Sequence, residues 1–419
     1  VFLLGLLVSP AFAADAPAKP NIVYILCDDL GYGDVGALNA KARVKTPHMD
    51  SLARDGLIFT DAHSNSAVCT PTRYGVLTGR YAFRTTLKKG VLYGYSPPLI
   101  EDGRVTVAKL LADHGYATAC IGKWHLGLGW ATKGGGNATA TSTDFAKPLT
   151  HGPNQVGFGY SYIIPASLDM APYVYIENGA VVTAPKDQIG DSPRPAYWRG
   201  GPISPGFTHE TVLKTLTEKA EAFIDRHAAA SPKQPFFVYL PLTSPHTPHV
   251  PRPEFRGKSG AGNYGDFVQE TDWSVGRVLD ALKRNNLDQN TLVILTSDNG
   301  SHAEPIEKEL NGHATNASWR GQKSDAWEGG HRVPFLLRWP AKVKAGGVCA
   351  QTVCLTDLMA TAADLASAKL PADAGEDSVS LLPLLEGKLE QPIREATVHH
   401  SIDGAFAIRK GQWKLVLAK

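Results

Sequence analysis

The chain has 419 residues, of which 43% are hydrophobic and 20% charged, and a net charge of +2. That length permits a large buried core. The near balance of charge leaves no basic footprint for nucleic acid or for an anionic membrane surface, so any anion has to be recognised locally.

The first residues, V-F-L-L-G-L-L-V-S-P-A-F-A-A-D, form a short apolar run ending in the A-x-A pattern Ala11-Phe12-Ala13. The run is too short to span a bilayer and suits a signal peptidase. Without an initiator methionine or a basic n-region, residues 1–14 read as a truncated signal peptide cleaved after Ala13 or Ala14, which predicts a periplasmic or secreted protein. No other apolar stretch is long enough for a membrane helix.

Asn21 to Cys27 (N-I-V-Y-I-L-C) is a continuous apolar, β-branched run, the pattern of a strand buried on both faces. It ends in Asp28 and Asp29. A helix is predicted from Pro47 to Gly56 after a Thr46 cap, then a strand from Leu57 to Ala62. Helices are also predicted over Thr106–His114 and Thr208–Ala229, and strands over Tyr116–Ile121, Phe236–Leu240 and Leu292–Thr296. The alternation predicts an α/β domain, residues 20–368, around a large, mostly parallel sheet. Asp28, Lys123, His246 and Asp298 each follow a predicted strand, where such sheets place their ligand crevice. Trp130–Pro153 and Tyr173–Gly206 read as pocket-shaping loops, with Trp130, Tyr173, Tyr197, Trp198 and His249 as lining candidates.

Lys369–Leu389 reads as connecting loop, and Thr397–Ala418 holds two strand-like runs around turn signals. Residues 369–419 are therefore expected to form a small antiparallel-sheet subdomain, incomplete where the last run stops. Five cysteines are too few for a disulfide scaffold. Cys27 and Cys120 read as core residues, and Cys349 and Cys354 could bridge.

The most informative segment is Cys69 to Gly79, C-T-P-T-R-Y-G-V-L-T-G. Pro71 suits a first helical turn, and Arg73 follows Cys69 by four residues, so thiol and guanidinium can share the mouth of a helix, where unpaired N–H groups and the dipole favour an anion. A single cysteine beside a proline is usually a small buried hydrophobe. The joint presence of Pro71, Arg73, Leu77, Thr78 and Gly79 argues for chemistry instead. Asp28, Asp29, Asp298 and Asn299 offer four hard oxygen donors on two strand-end loops, a plausible calcium site. Adjacent carboxylates there would repel one another and take raised pKa values unless a cation neutralised them. In G-K-W-H-L-G, Lys123 and His125 at i, i+2 of extended backbone would point to one face. In L-T-S-P-H-T-P-H, His246 follows a strand directly and could give a proton to a leaving alcohol, with His249 as its rival.

Taken in chain order from Asn21 onward, these motifs resemble the signatures of the type I sulfatases, the formylglycine-dependent, cysteine-type branch of the alkaline phosphatase superfamily. The resemblance implies an alkaline-phosphatase-like mixed, mostly parallel sheet sandwiched by helices. It implies that a maturation enzyme oxidises Cys69 to 3-oxoalanine (formylglycine), and that one Ca²⁺ is held by Asp28, Asp29, Asp298, Asn299 and an oxygen of the modified residue 69. It further implies Lys123 on the sulfate, and Lys323, in W-R-G-Q-K-S-D-A-W-E-G-G-H-R-V-P, sharing in neutralising its charge. His125 would hydrogen-bond the formylglycine hydroxyl, His246 would act as acid on the leaving alcohol, and Arg73 would hold the hydrated aldehyde. Ser167, in I-P-A-S-L-D, aligns with a hydroxyl that contacts sulfate, although the family's neighbouring histidine is Leu168 here; His249 would touch substrate or serve the structure. The expected activity is hydrolysis of a sulfated carbohydrate or aryl sulfate, with covalent catalysis at residue 69. The rival on the same scaffold is a phosphonate or phosphodiester hydrolase. A non-catalytic binder of sulfated glycans would lack a principal site residue, and none is lacking.

Overall fold

The computed structural model describes residues 19–194, 196–388 and 390–417; the signal-peptide reading of residues 1–14 lies outside them. In chain order the strands are β1 (Asn21–Asp28), β2 (Leu57–Phe59), β3 (Ala62–His63), β4 (Ala117–Lys123), β5 (Tyr160–Ile164), β6 (Ile176–Glu177), β7 (Ala180–Val181), β8 (Asp187–Ile189) and β9 (Gly201–Ile203). They continue with β10 (Phe236–Pro245), β11 (Thr291–Ser297), β12 (Phe335–Arg338), β13 (Gly347–Cys349), β14 (Val353–Cys354), β15 (Thr397–His400), β16 (Phe406–Lys410) and β17 (Trp413–Leu417). The helices are α1 (Pro47–Arg54), α2 (Cys69–Thr78), α3 (Val107–Asp113), α4 (Val212–Ala230), α5 (Gly262–Arg284), α6 (Glu328–His331), α7 (Leu358–Ala366) and α8 (Leu382–Leu385).

Ten strands form one mixed sheet in the order β13-β2-β12-β11-β1-β10-β4-β5-β6-β7. Its centre, β11-β1-β10-β4-β5, is parallel throughout. The unbroken apolar run of β1 has a direct cause: Ile22, Tyr24 and Leu26 enter the core beneath α2, α3 and α7, whereas Val23, Ile25 and Cys27 enter the one beneath α1, α4 and α5. Helices thus cover both faces. β15, β16 and β17 form a separate antiparallel sheet.

Register brings the distant motifs to one edge. Asp28 pairs with Pro245, and Cys27 with Ser297, so Asp28, His246 and Asp298 emerge side by side at the carboxyl ends of three neighbouring strands.

Several elements differ from their sequence-based bounds. The run Leu57–Ala62 breaks into β2 and β3, which join different sheets. β4 continues to Lys123, and β10 to Pro245, so Lys123 belongs to a strand rather than to the turn after it. The presumed connecting loop contains α8. Cys349 and Cys354 are free thiols, because β13 pairs with β2 in the main sheet while β14 pairs with β3 in another. Trp130 and Tyr173, expected as lining residues, are packed into the fold. Both are buried, with Trp130 Nε1 donating to Gly94 O at 2.9 Å and Tyr173 Oη to Arg199 O at 2.5 Å. No helix among the described residues is long and apolar enough to cross a membrane.

Gly122 lets β4 deliver Lys123 to this edge. It has φ 144°, and a Cβ there would lie 1.9 Å from the Pro241 carbonyl oxygen of β10. Gly122→Ala is expected to cost about 2 kcal/mol or more, read as a lower midpoint of urea unfolding; an unchanged midpoint would show that β4 and β10 separate freely.

Candidate active site

α2 starts at Cys69, after an extended Val68, and every residue from Cys69 to Thr78 is buried. Pro71 lies in the first turn, where its missing N–H costs nothing. At the other end Gly79 closes the helix at φ 64° and donates to Gly75 O.

Arg73 does not stand free beside the thiol. Its Nε and Nη2 donate to Asp298 Oδ2 at 3.1 and 2.7 Å, and its Nη1 donates to Lys123 O at 3.0 Å. Nη2 also lies 3.5 Å from Asp28 Oδ1. Lys123 Nζ donates to Asp28 Oδ2 at 2.7 Å, and Lys323 Nζ to Asp29 Oδ2 at 2.8 Å. Asn299 Nδ2 donates to Asp29 Oδ1 at 2.7 Å, and Asp29 N to Asp298 Oδ1 at 3.2 Å. Three carboxylates therefore face three cations in a buried enclosure.

The expected rise in carboxylate pKa occurs at one position only. Burial works to raise Asp28 and Asp29, but Lys123, His246 and Arg73 hold Asp28 well below the usual range, and Lys323 with His246 lowers Asp29. Asp298 is pushed up to about 7 by burial and by Asp28. Burial also raises the Cys69 thiol.

These residues fit a hard cation. Asp28 Oδ1 and Asn299 Oδ1 are buried acceptors without a hydrogen-bond donor, which is the state of an oxygen reserved for a metal. The Cys69 Sγ and one oxygen each of Asp28 and Asp298 lie within 4.8 Å of one another.

His125 reaches the site by a different route from the expected one. Its φ of 56° departs from extended backbone, and its N donates to Pro165 O at 3.1 Å. Nε2 donates to Leu92 O at 2.7 Å, leaving Nδ1 as a buried, unpartnered acceptor. Burial, with Lys123 and Arg73, holds its pKa well below the ordinary histidine value, so the ring is neutral. His246 Nδ1 donates to Thr247 O at 2.6 Å, and its Nε2 lies 3.8 Å from Asp29 Oδ2. Burial works to lower the Lys323 pKa, but Asp29 outweighs it and the ammonium is held above its usual value. Ser167 is buried with an unpartnered Oγ. His249 packs edge-on against Tyr264, and burial with neighbouring His246 pushes its pKa down to about 3.

Sequence reading missed two supporting groups. Tyr264 Oη donates to Asp29 O at 3.2 Å and also bonds Asp34, from the first turn of α5, where nothing local marks it. His302 shares the field of Asp29, Lys323 and His246; its place four residues after Asp298 was the available signal.

A cysteine at a buried helix start, beside carboxylates, lysines and histidines at the carboxyl edge of a parallel sheet, defines an ester hydrolase that acts on a tetrahedral oxyanion. Residues 20–368 match the family model described as Sulfatase, and residues 322–417 the one described as N-sulphoglucosamine sulphohydrolase, C-terminal. The chain belongs to the sulfatase family and is a sulfuric ester hydrolase. It is similar to the N-acetylgalactosamine-6-O-sulfatase of Bacteroides thetaiotaomicron, at 38% identity over 95% of this chain and 82% of that one. It is also similar to the steryl-sulfatase of Mus musculus, at 34% identity over 93% and 69%. A solved chain described with the metabolism of multiple glycosaminoglycans by Bacteroides thetaiotaomicron superposes with a TM-score of 0.84 at 36% identity, covering 95% of this chain and 88% of that one. These relatives favour sulfate esters over the phosphonate or phosphodiester alternative.

Removing Arg73 would leave Asp298 and Asp28 buried without their guanidinium. Arg73→Met, measured in the presence of a chelator, is expected to lose about 3–5 kcal/mol of stability in urea unfolding; retention of the wild-type midpoint would assign the carboxylates another counter-ion.

Proposed function

We propose that this sulfatase removes sulfate from a sulfated carbohydrate outside the cytoplasm, using a formylglycine made from Cys69 by a maturation enzyme and one Ca²⁺ held by Asp28, Asp29, Asp298 and Asn299. The observation that carries this reading is the meeting of the Cys69 Sγ with Asp28 and Asp298 while two buried oxygens, Asp28 Oδ1 and Asn299 Oδ1, lack any donor. When present, the metal supplies Lewis-acid polarisation, and the aldehyde supplies a hydrated nucleophile that an unmodified side chain would not.

The chain's own residues account for the remaining tasks. Lys123 and Lys323 neutralise charge on the non-bridging sulfate oxygens, an electrostatic contribution that water could not match in so enclosed a site. Arg73 orients Asp298 and ties it to the end of β4 through Lys123 O. His125, neutral and with a free Nδ1, accepts a hydroxyl proton at residue 69. His246 exchanges its proton at Nε2, since Nδ1 is committed to Thr247 O, and that nitrogen would serve the departing alcohol. Ser167 Oγ, buried and unpartnered, is a sulfate contact, and His249, neutral at the wall, contacts the substrate. A carbohydrate substrate is supported by the similarity to a sulfatase named for N-acetylgalactosamine 6-O-sulfate. The partly exposed Tyr197 and Trp198 offer rings for a sugar face.

Desulfation of a panel of sulfated mono- and oligosaccharides tests the substrate class, and failure on every sugar with turnover of aryl sulfates alone would refute it. Mass spectrometry of the peptide carrying residue 69 should show the mass loss of thiol-to-aldehyde conversion in active protein; full turnover by the unconverted thiol would end the scheme. His246→Ala should lower kcat on sugar sulfates by roughly 10²–10⁴-fold, and less on aryl sulfates whose leaving group needs no proton. Chelation should abolish turnover and added Ca²⁺ restore it.

A further inference from the structure

A second cluster of buried histidines lies apart from the catalytic residues, where the C-terminal sheet meets the main domain. It comprises His63 on β3, His331 on α6 and His399 on β15. His331 and His399 stack with ring centroids 3.6 Å apart and 4° between their planes. Two stacked rings direct their nitrogens along parallel planes, and Lys414 of β17 already occupies His331 Nε2 at 2.5 Å. These contacts join the cluster into a hydrogen-bond chain.

Every proton in that chain is assigned by its ends. An ammonium has donors only, so His331 Nε2 accepts from Lys414, and the His331 proton sits on Nδ1. That proton is donated to His63 Nδ1 at 3.0 Å, which places the His63 proton on Nε2, donated in turn to Asp61 Oδ1 at 3.0 Å. His399 donates from Nδ1 to Ser64 O at 2.9 Å and accepts at Nε2 from Thr397 Oγ1 at 2.8 Å. Asp61 also takes Arg332, Arg409 of β16 and the Thr352 hydroxyl, while Glu328 of α6 takes Arg332 and Lys414. Arg409 Nη1 lies 3.3 Å from His63 Nε2 and Glu328 Oε1 3.7 Å from His331 Nε2, so a further proton on the rings would meet one carboxylate but also Lys414, Arg332 and Arg409, and would turn an acceptor into a second donor.

The docked sheet props up the catalytic loops from behind. His400 O accepts from Ala67 N at 3.0 Å, two residues before Cys69, and Ser324 N, next to Lys323, donates to Ala67 O at 2.8 Å. Ile402 N donates to Ser324 O at 3.0 Å, and Ile402 O accepts from Gly90 N at 2.7 Å, on the segment leading to the Leu92 carbonyl that holds His125.

We propose that the chain Lys414–His331–His63–Asp61 is a pH-sensitive latch that seats the C-terminal sheet, and that Lys414, His331 and His63 act through it as positioning residues for the start of α2 and for Lys323. The proposal rests on the reading of Cys69 and Lys323 as catalytic only for its effect on turnover; the docking itself is independent of it. Burial, reinforced by the neighbouring rings and Lys414, holds His331 and His399 well below the ordinary histidine value, and burial lowers His63 against the pull of Asp61. Because the folded-state values lie below the unfolded value of about 6.5, the latch contributes fully above that pH and is lost as pH falls towards the folded values.

Glutamine can replace each ring nitrogen pair with a carbonyl acceptor and an amide donor that do not titrate, so His63→Gln with His331→Gln preserves the direction of the chain. Hydrogen exchange of the full chain, corrected for intrinsic rates, is followed from about pH 7.5 to 5. In the wild type, protection over residues 397–410 should fall by about tenfold or more while β1, β10 and β11 stay protected. The double variant should keep that protection at the acid end, with the acid limb of its kcat profile moved to lower pH. Lys414→Met, at a partly accessible side chain, should lose protection over 397–410 already at the upper pH, whether or not the double variant folds. Equal acid loss in wild type and double variant, or unchanged protection in Lys414→Met, would overturn the latch; loss of protection without any change in kcat would overturn the positioning role alone.

Discussion

The Arg73 guanidinium is the contact on which the site depends. Fully buried, it joins α2 to the end of β11 through Asp298, to the end of β1 through Asp28 and to the end of β4 through the Lys123 carbonyl. Burying such a charge is expensive unless it is paired and its donors are satisfied. The cost is offset here by Asp298 and Asp28, whose carboxylates satisfy its donors and balance its charge. The ion network therefore works as a joint: it sets the distance between the nucleophile helix and the strand ends that carry the other reacting groups.

Charge balance then decides what each group does. Lys123 and Lys323 keep Asp28 and Asp29 ionised, whereas Asp298, caught between burial and Asp28, is raised. Burial, with Lys123 and Arg73, keeps His125 neutral, while His246 presents its Nε2 3.8 Å from Asp29 Oδ2. The C-terminal sheet reaches this network from outside, since His400 and Ile402 hydrogen-bond to Ala67 and Ser324, close to Cys69 and Lys323.

Much of this was legible in the residues. The apolar run of β1 announced a strand buried on both faces because both faces of the sheet are covered by helices, and the alternation of elements led to the parallel centre. Asp28, Lys123, His246 and Asp298 stood out because each follows a predicted strand, and Cys69 because of its motif at a helix start, and the structure brings them together at one sheet edge. Other features resisted. The i, i+2 spacing of Lys123 and His125 suggested extended backbone, but His125 takes φ 56° so that its amide can reach Pro165 O. Trp130 and Tyr173 looked like pocket walls because they sit in glycine- and proline-rich segments, yet the loops fold back and bury them. Composition cannot report which way a loop turns.

The sequence by itself determined most of the elements, the parallel sheet and the candidate site residues, because strand periodicity, capping residues and the C-x-P-x-R motif act within a few residues of one another. Tertiary structure alone decided the charge state of those groups and the support behind them. Arg73 meets Asp298 across 225 positions, Lys323 meets Asp29 across 294, and Lys414 meets His331 across 83. Desolvation and Coulomb interaction depend on distance in space, and distance in space is set only when the sheet register and the docking of the last strands are complete.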